Sequence, residues 1–238
     1  PIALQLNLLF LHVKIVNSIA ELLDQVDCVM LETNDGNVHL EQAIEVFKAG
    51  KTVFIDKPIG GNLAQAIAIF ELAKKYNVPV FTSSALRFSK QTLKIRDGQL
   101  GEVIGADCYS PASEEPSHSD FTWYGIHGVE TLFTVMGTGC VSVNRMHAEG
   151  TDIVVGLWKD GRIGTFRGIR EGKGGYGGTA FTSTGIVPVG TYDGYGDLLD
   201  EILRFFNSGK APVSADETLE IFTFMEASIH SKENEGKI

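Results

Sequence analysis

Thr52-Val53-Phe54-Ile55-Asp56-Lys57-Pro58 joins a short, β-rich apolar run to two charges and a proline. The run predicts a strand buried on both faces of a parallel sheet. Pro58 fixes its own φ and offers no N–H to a ladder, so the strand stops with Asp56 and Lys57 at its carboxyl end. That edge is where open α/β sheets bind ligands. Gly60-Gly61 gives a tight exit, Asn62 caps the next helix, and Leu63, Ile67, Phe70 and Ala73 recur at helical spacing on one face of a run to Tyr76.

The same alternation extends on both sides. Upstream, a strand is expected near His12 to Val16, and Asn17 or Ser18 caps a short helix from Ile19 to Gln25. Val26 to Leu31 then reads as a buried strand, Glu32 to Gly36 as a polar turn, and Leu40, Ile44 and Phe47 as one face of a helix closed by Gly50. Downstream, Val78 to Thr82 makes a third strand. Strand and helix at this spacing imply a parallel, right-handed, wound sheet. After Arg87-Phe88 the pattern changes to strands around Val103 to Tyr109, Val141 to Ala148, Ile153 to Trp158, Arg162 to Ile169, Thr179 to Thr184 and Ile186 to Thr191. Helices are expected near Ser89 to Asp97, Gly125 to Val135, Tyr195 to Asn207 and Ala215 to His230. The fold class is α/β plus α+β: a partial Rossmann parallel sheet over residues 1–86, then an α+β domain over residues 87–238 with a large, mostly antiparallel open sheet.

The chain has 238 residues, 43% of them apolar and 21% charged, enough for a sizeable core. A formal charge of −10 argues against nucleic acid or an anionic membrane as partner. Cys28, Cys108 and Cys140 are odd in number and far apart, which indicates neither a disulfide framework nor a zinc site; a reducing, cytoplasmic setting fits. No run approaches the ~20 apolar residues of a membrane span. The apolar start, Pro1 to Leu11, lacks a basic leader, a cleavage-type ending and an initiator Met. It is expected to be the edge of a processed, truncated or incomplete product.

Taken in order, Val26-Asp27-Cys28-Val29-Met30, Thr33-Asn34 with His39, Ala49-Gly50-Lys51, Asp56-Lys57-Pro58, Arg87-Phe88, Gly98-Gln99-Leu100-Gly101-Glu102-Val103 and Gly125-Ile126-His127 resemble the Gfo/Idh/MocA oxidoreductases over nearly the whole chain. The resemblance implies transfer of a hydride between NAD or NADP and a sugar- or cyclitol-like alcohol. Lys57 would hydrogen-bond the reacting oxygen and position the cofactor, and His127 would take the alcohol proton. Independently of the family, a cation at a sheet's carboxyl edge stabilises a developing alkoxide.

Thr33, Asn34, Asp56, Lys57 and Pro58 are the cofactor-side candidates, together with His39, which is as well explained by packing. Arg87 is a substrate-side candidate or an interdomain salt bridge. Trp123 floors a sugar pocket or is an ordinary packed aromatic. Many members carry Asp where Trp123 stands, one helical turn before the histidine, and Asp120 and Glu130 are the nearby carboxylates that can compensate. His118, Asp120 and His127 fit no standard zinc spacing. The resemblance also implies homo-oligomers, dimer or tetramer, through the second sheet.

At the front, the family's glycine turn has no counterpart ahead of Val26. Gly172-Lys173-Gly174-Gly175-Tyr176-Gly177 has the right letters but lies between strands, without the strand-then-helix setting that seats pyrophosphate. The chain as given is therefore expected to bind neither NAD(H) nor NADP(H) usefully. Two rival readings are a non-catalytic binding or assembly protein that keeps the fold, and an enzyme that holds NAD for elimination or glycoside cleavage.

Overall fold

The structure, a computed structural model, describes residues 13–234 and 236. Strands β1 (Cys28–Leu31), β2 (Thr52–Ile55) and β3 (Val80–Phe81) form a parallel sheet with β2 in the middle. Val29 pairs with Val53, and Phe54 with Phe81. Val53, Phe54 and Ile55 are at most 1% exposed, so the strand carries no polar alternation. Asp56 N–H still reaches the Leu31 carbonyl at 2.8 Å, and there the ladder stops before Pro58.

Helix α1 (Ile19–Leu23) precedes β1, and helices α2 (His39–Lys48) and α3 (Leu63–Tyr76) connect the three strands. Ser18 and Asn62 cap α1 and α3 by accepting from the N–H groups of Glu21 and Gln65. Asn77, in the left-handed region at φ 54°, ends α3. The buried face of α3 is Ala66, Ile69 and Ala73, while Ile67 is 43% exposed, which corrects the face expected from sequence. This helix is apolar nearly all round, so its own periodicity does not single out the side on which α2 and the C-terminal helix pack. The strand expected at His12 to Val16 is not found: residues 13–16 have no regular structure, and His12 lies outside the described residues.

After helix α4 (Lys90–Arg96), strands β4 (Val103–Pro111), β5 (Cys140–Ala148), β6 (Thr151–Trp158), β7 (Ile163–Ile169), β8 (Gly177–Thr182) and β9 (Gly185–Val189) form a second sheet in the order β5-β6-β7-β4-β8-β9. Every neighbouring pair is antiparallel except β4 and β7. Helix α5 (Gly125–Met136) lies between β4 and β5 in the chain and carries it across the sheet, so β4 and β7 run the same way. A Cβ on Gly128 would fall 2.5 Å from the Phe166 ring, so glycine lets α5 rest directly on the sheet.

Two more helices close the fold, α6 (Gly196–Ser208) and α7 (Ala215–Glu233). Because strand side chains alternate, Val53 and Ile55 join α2 and α3 while Phe54 and Phe81 point the other way. There they meet Leu198, Ile202 and Phe205 of α6, with the Phe81 and Phe205 rings edge to face at 4.8 Å. Residues from the end of the chain thus cover one face of the first sheet. Among the described residues, no helix is long and apolar enough to cross a membrane.

Candidate active site

The carboxyl ends of β1 and β2 open onto a cleft of about 570 Å³, whose far wall is the start of α5 and whose rim is the start of α6. Glu32, Asn34, Asp56 and Lys57 come from the first sheet, and Trp123, Tyr124 and His127 from the second unit. The loop before α5 is pinned to the first unit: Asn37 Nδ2 donates to the Ser117 carbonyl at 2.9 Å, and Ser119 Oγ to the Gly61 carbonyl at 2.7 Å.

Lys57 Nζ lies 6.0 Å from the Trp123 ring centroid and 5.8 Å from that of Tyr124, over two π faces that favour a cation. Among the described residues this half-buried ammonium makes no ion pair with any carboxylate, Asp56 included. Its three donors are available to a ligand. Burial pushes the Asp56 carboxyl up, against the pull of Lys57. Glu32 is pushed up to about 7, first by desolvation and then by Asp56.

His127 sits on the first turn of α5, with Nδ1 2.7 Å from Ser84 Oγ and its ring edge to face with Tyr176 at 5.6 Å. Desolvation, helped by the Lys57 charge, holds its imidazole down to about 3, so the ring is neutral. Trp123 packs between the His118 ring, tilted at 4.6 Å, and the Tyr124 ring, edge to face at 5.6 Å. Tyr192 and Tyr195 complete an aromatic rim.

Of the residues singled out from sequence, Asn34, Asp56, Lys57, Trp123 and His127 meet in this cleft, and Thr33, His39, Pro58 and Arg87 lie behind its wall. Thr33 Oγ1 donates to Gln42 Oε1. His39 is fully buried, its Nδ1 2.9 Å from the Pro58 carbonyl and its Nε2 3.0 Å from that of Thr33, so it ties the β1 and β2 exits together. Arg87 bridges Glu130 and Glu217 in the interior. Neither carboxylate named as a substitute for the family's Asp reaches the cleft. Asp120 is bound by Arg145 and Lys232, and Glu130 accepts from Ser83 Oγ, the Ser84 N–H and Arg87 Nε. Among the described residues, no three His, Cys, Asp or Glu side chains are grouped to hold a metal.

Sequence reasoning passed over Glu32, Ser84 and the three tyrosines at 176, 192 and 195. Glu32 follows a buried strand as Lys57 does, a signal that applied to it equally. The tyrosines converge only through the tertiary fold.

Comparison with known proteins bears on the same segment. Residues 8–84 match the family described as "Oxidoreductase family, NAD-binding Rossmann fold". Over that segment the chain is similar to the Gfo/Idh/MocA family. It is 28% identical over 142 residues to the oxidoreductase YhhX of Escherichia coli, covering 54% of this chain and 41% of the relative. It is 35% identical over 80 residues to the myo-inositol 2-dehydrogenase of Thermotoga maritima, covering 34% and 24%. The match thus spans less than half the length of these curated relatives. Among solved structures, the UDP-N-acetylglucosamine 3-dehydrogenase of Acidithiobacillus ferrooxidans superposes with a TM-score of 0.81 at 15% identity, over 99% of this chain and 87% of that one. At that identity the likeness speaks for the fold.

Proposed function

We propose that the protein carrying this chain is a nicotinamide-dependent dehydrogenase of a sugar- or cyclitol-like alcohol. The observation that carries this reading is Lys57, an ammonium that pairs with no carboxylate among the described residues, at the carboxyl end of β2 and facing a histidine of the other unit across an aromatic-lined cleft. Lys57 and His127 flank a position for the reacting oxygen. Trp123, Tyr124, Tyr176 and Tyr195 offer the flat apolar faces on which sugar and cyclitol rings rest.

The residues present fit the nicotinamide end of a dinucleotide. Asn34 and Lys57 supply donors at the sheet's carboxyl edge, where such cofactors bind in wound sheets. When bound, NAD or NADP supplies the hydride acceptor or donor. The chain's own residues orient the alcohol carbon, exclude water with the tyrosine rim, and stabilise negative charge on the oxygen through the Lys57 ammonium. Gly172 to Tyr176 lies between β7 and β8 and Gly177 opens β8, so these residues are not assigned to pyrophosphate.

The inositol dehydrogenase among the relatives supports the substrate class. The three free cysteines suit a reducing, cytoplasmic setting. The open face of the second sheet supports a dimer or tetramer: Ile104, Met146 and Ile163 are 58%, 74% and 54% exposed there.

The test is turnover of NAD⁺ or NADP⁺ with a panel of inositols, aldoses and nucleotide sugars, followed in the nicotinamide absorbance band. Reduction by at least one polyhydroxy substrate is expected. No reduction by any of them, with the cofactor bound, would favour a non-catalytic binding protein.

A further inference from the structure

Ser84 and His127 share one proton across the cleft wall, and the surroundings of Ser84 determine where it sits. Ser84 is 1% exposed, and its Oγ lies 2.7 Å from His127 Nδ1. As the cap of the turn Ala85–Phe88, this Oγ already accepts from the Leu86 N–H at 3.2 Å. Among the described residues no carbonyl or carboxylate oxygen takes a hydrogen bond from it. The nearby Glu130 carboxylate is occupied by Ser83 Oγ, the Ser84 N–H and Arg87.

Two arrangements are possible. If the ring donated from Nδ1, Ser84 Oγ would accept twice and its own buried proton would have no acceptor. Buried hydroxyls avoid that state. If Ser84 donates to Nδ1, every group in the contact is satisfied, and the ring proton resides on Nε2. Which ring nitrogen carries the proton is set by the bond the other nitrogen makes.

We propose that Ser84 holds His127 as the Nε2–H tautomer, so that His127 meets the carbonyl oxygen of the oxidised substrate as a hydrogen-bond donor beside Lys57. The proposal rests on reading the cleft as a dehydrogenase site. Nε2 is the nitrogen left open to the cleft, since Nδ1 is occupied. With its proton in place, Nε2 presents no lone pair to an alcohol O–H. Instead, an ammonium and an imidazole N–H converge on one oxygen, a pair suited to a carbonyl or an alkoxide and less to a hydroxyl. A neutral ring also avoids setting a second cation next to Lys57.

The experiment is a long-range ¹H–¹⁵N correlation spectrum of the full chain labelled at histidine nitrogen, near neutral pH, without cofactor. The His127 signals are assigned by their loss in His127→Gln. The expected result is a protonated, pyrrole-type Nε2 and an unprotonated, pyridine-type Nδ1. Ser84→Ala should abolish the preference, and Ser84→Thr, which keeps the hydroxyl, should restore it. A wild-type spectrum with the proton on Nδ1 would overturn the proposal, as would an unchanged tautomer in a folded Ser84→Ala. The readout needs no turnover, so it separates from the dehydrogenase reading, whose own failure would appear as absent hydride transfer with the tautomer intact.

Discussion

Replacing Arg87 by Met removes the cation that two helices share. Its Nε donates to Glu130 Oε1 at 2.8 Å and its Nη1 to Glu217 Oε1 at 2.7 Å, with the three side chains 4%, 6% and 21% exposed. Breaking a buried ion pair by deleting one partner costs about 3–5 kcal/mol, because the remaining charge is stranded. Two features place this case at the lower end. Glu130 keeps Ser83 Oγ and the Ser84 N–H as donors, and Arg87→Met also removes Nη2, a buried donor with no partner among the described residues. A loss of about 3 kcal/mol in a chain of this size corresponds to a Tm lower by roughly 6–12 °C. Urea denaturation and calorimetry measure it, and a cycle with Glu130→Gln resolves the pair. In the Arg87→Met background, Glu130→Gln should cost less than it does alone, by about 0.5–3 kcal/mol. A single-variant loss below about 1 kcal/mol, or an additive cycle, would refute the claim that this pair ties α5 to the turn after β3.

Lys57→Ala should abolish hydride transfer while leaving the urea midpoint nearly unchanged, since among the described residues Lys57 has no ion-pair partner to strand; a variant retaining most of the wild-type kcat would remove it from the mechanism. Glu32, raised to about 7 in the folded chain, binds a proton there that the unfolded chain has lost, so stability should fall as pH rises through the window from the ordinary carboxylate range to about 7 and level off above it. Glu32→Gln should flatten that fall, and identical pH dependence of the two proteins in urea denaturation would contradict the assignment. Met146→Glu, on the open face of the second sheet, should shift sedimentation towards monomer, whereas a wild type that is already monomeric at micromolar concentration would exclude that interface.

The parts of the fold that were legible carry strong local signals. Pro58 ends β2, Asn62 starts α3, and the alternation of buried strand and helix gives a parallel sheet, because each of these acts within a few residues. The buried side of α3 was not legible, since Leu63, Ile67 and Phe70 are as apolar as Ile69 and only the packing of other helices distinguishes them. The site divides the same way. Lys57 and His127 stand at an identifiable strand end and helix start. The interior place of Arg87 depends on Glu130 and Glu217, far along the chain, and the aromatic rim depends on the segments around Tyr176 and Tyr192, whose local sequence has no period.

The cover that α6 lays over Phe54 and Phe81 has a consequence for the order of assembly. Those phenylalanines leave the ribosome early, and Phe205, which shields them, leaves late. Until then, one face of the first sheet is a sticky apolar surface with nothing native to bury it, the condition in which nascent chains rely on chaperones. Closing so long a loop is entropically costly and raises the contact order, which slows folding. It also binds the two sheets into one cooperative unit, so truncation before Gly196 would leave a Rossmann half that cannot complete its own core.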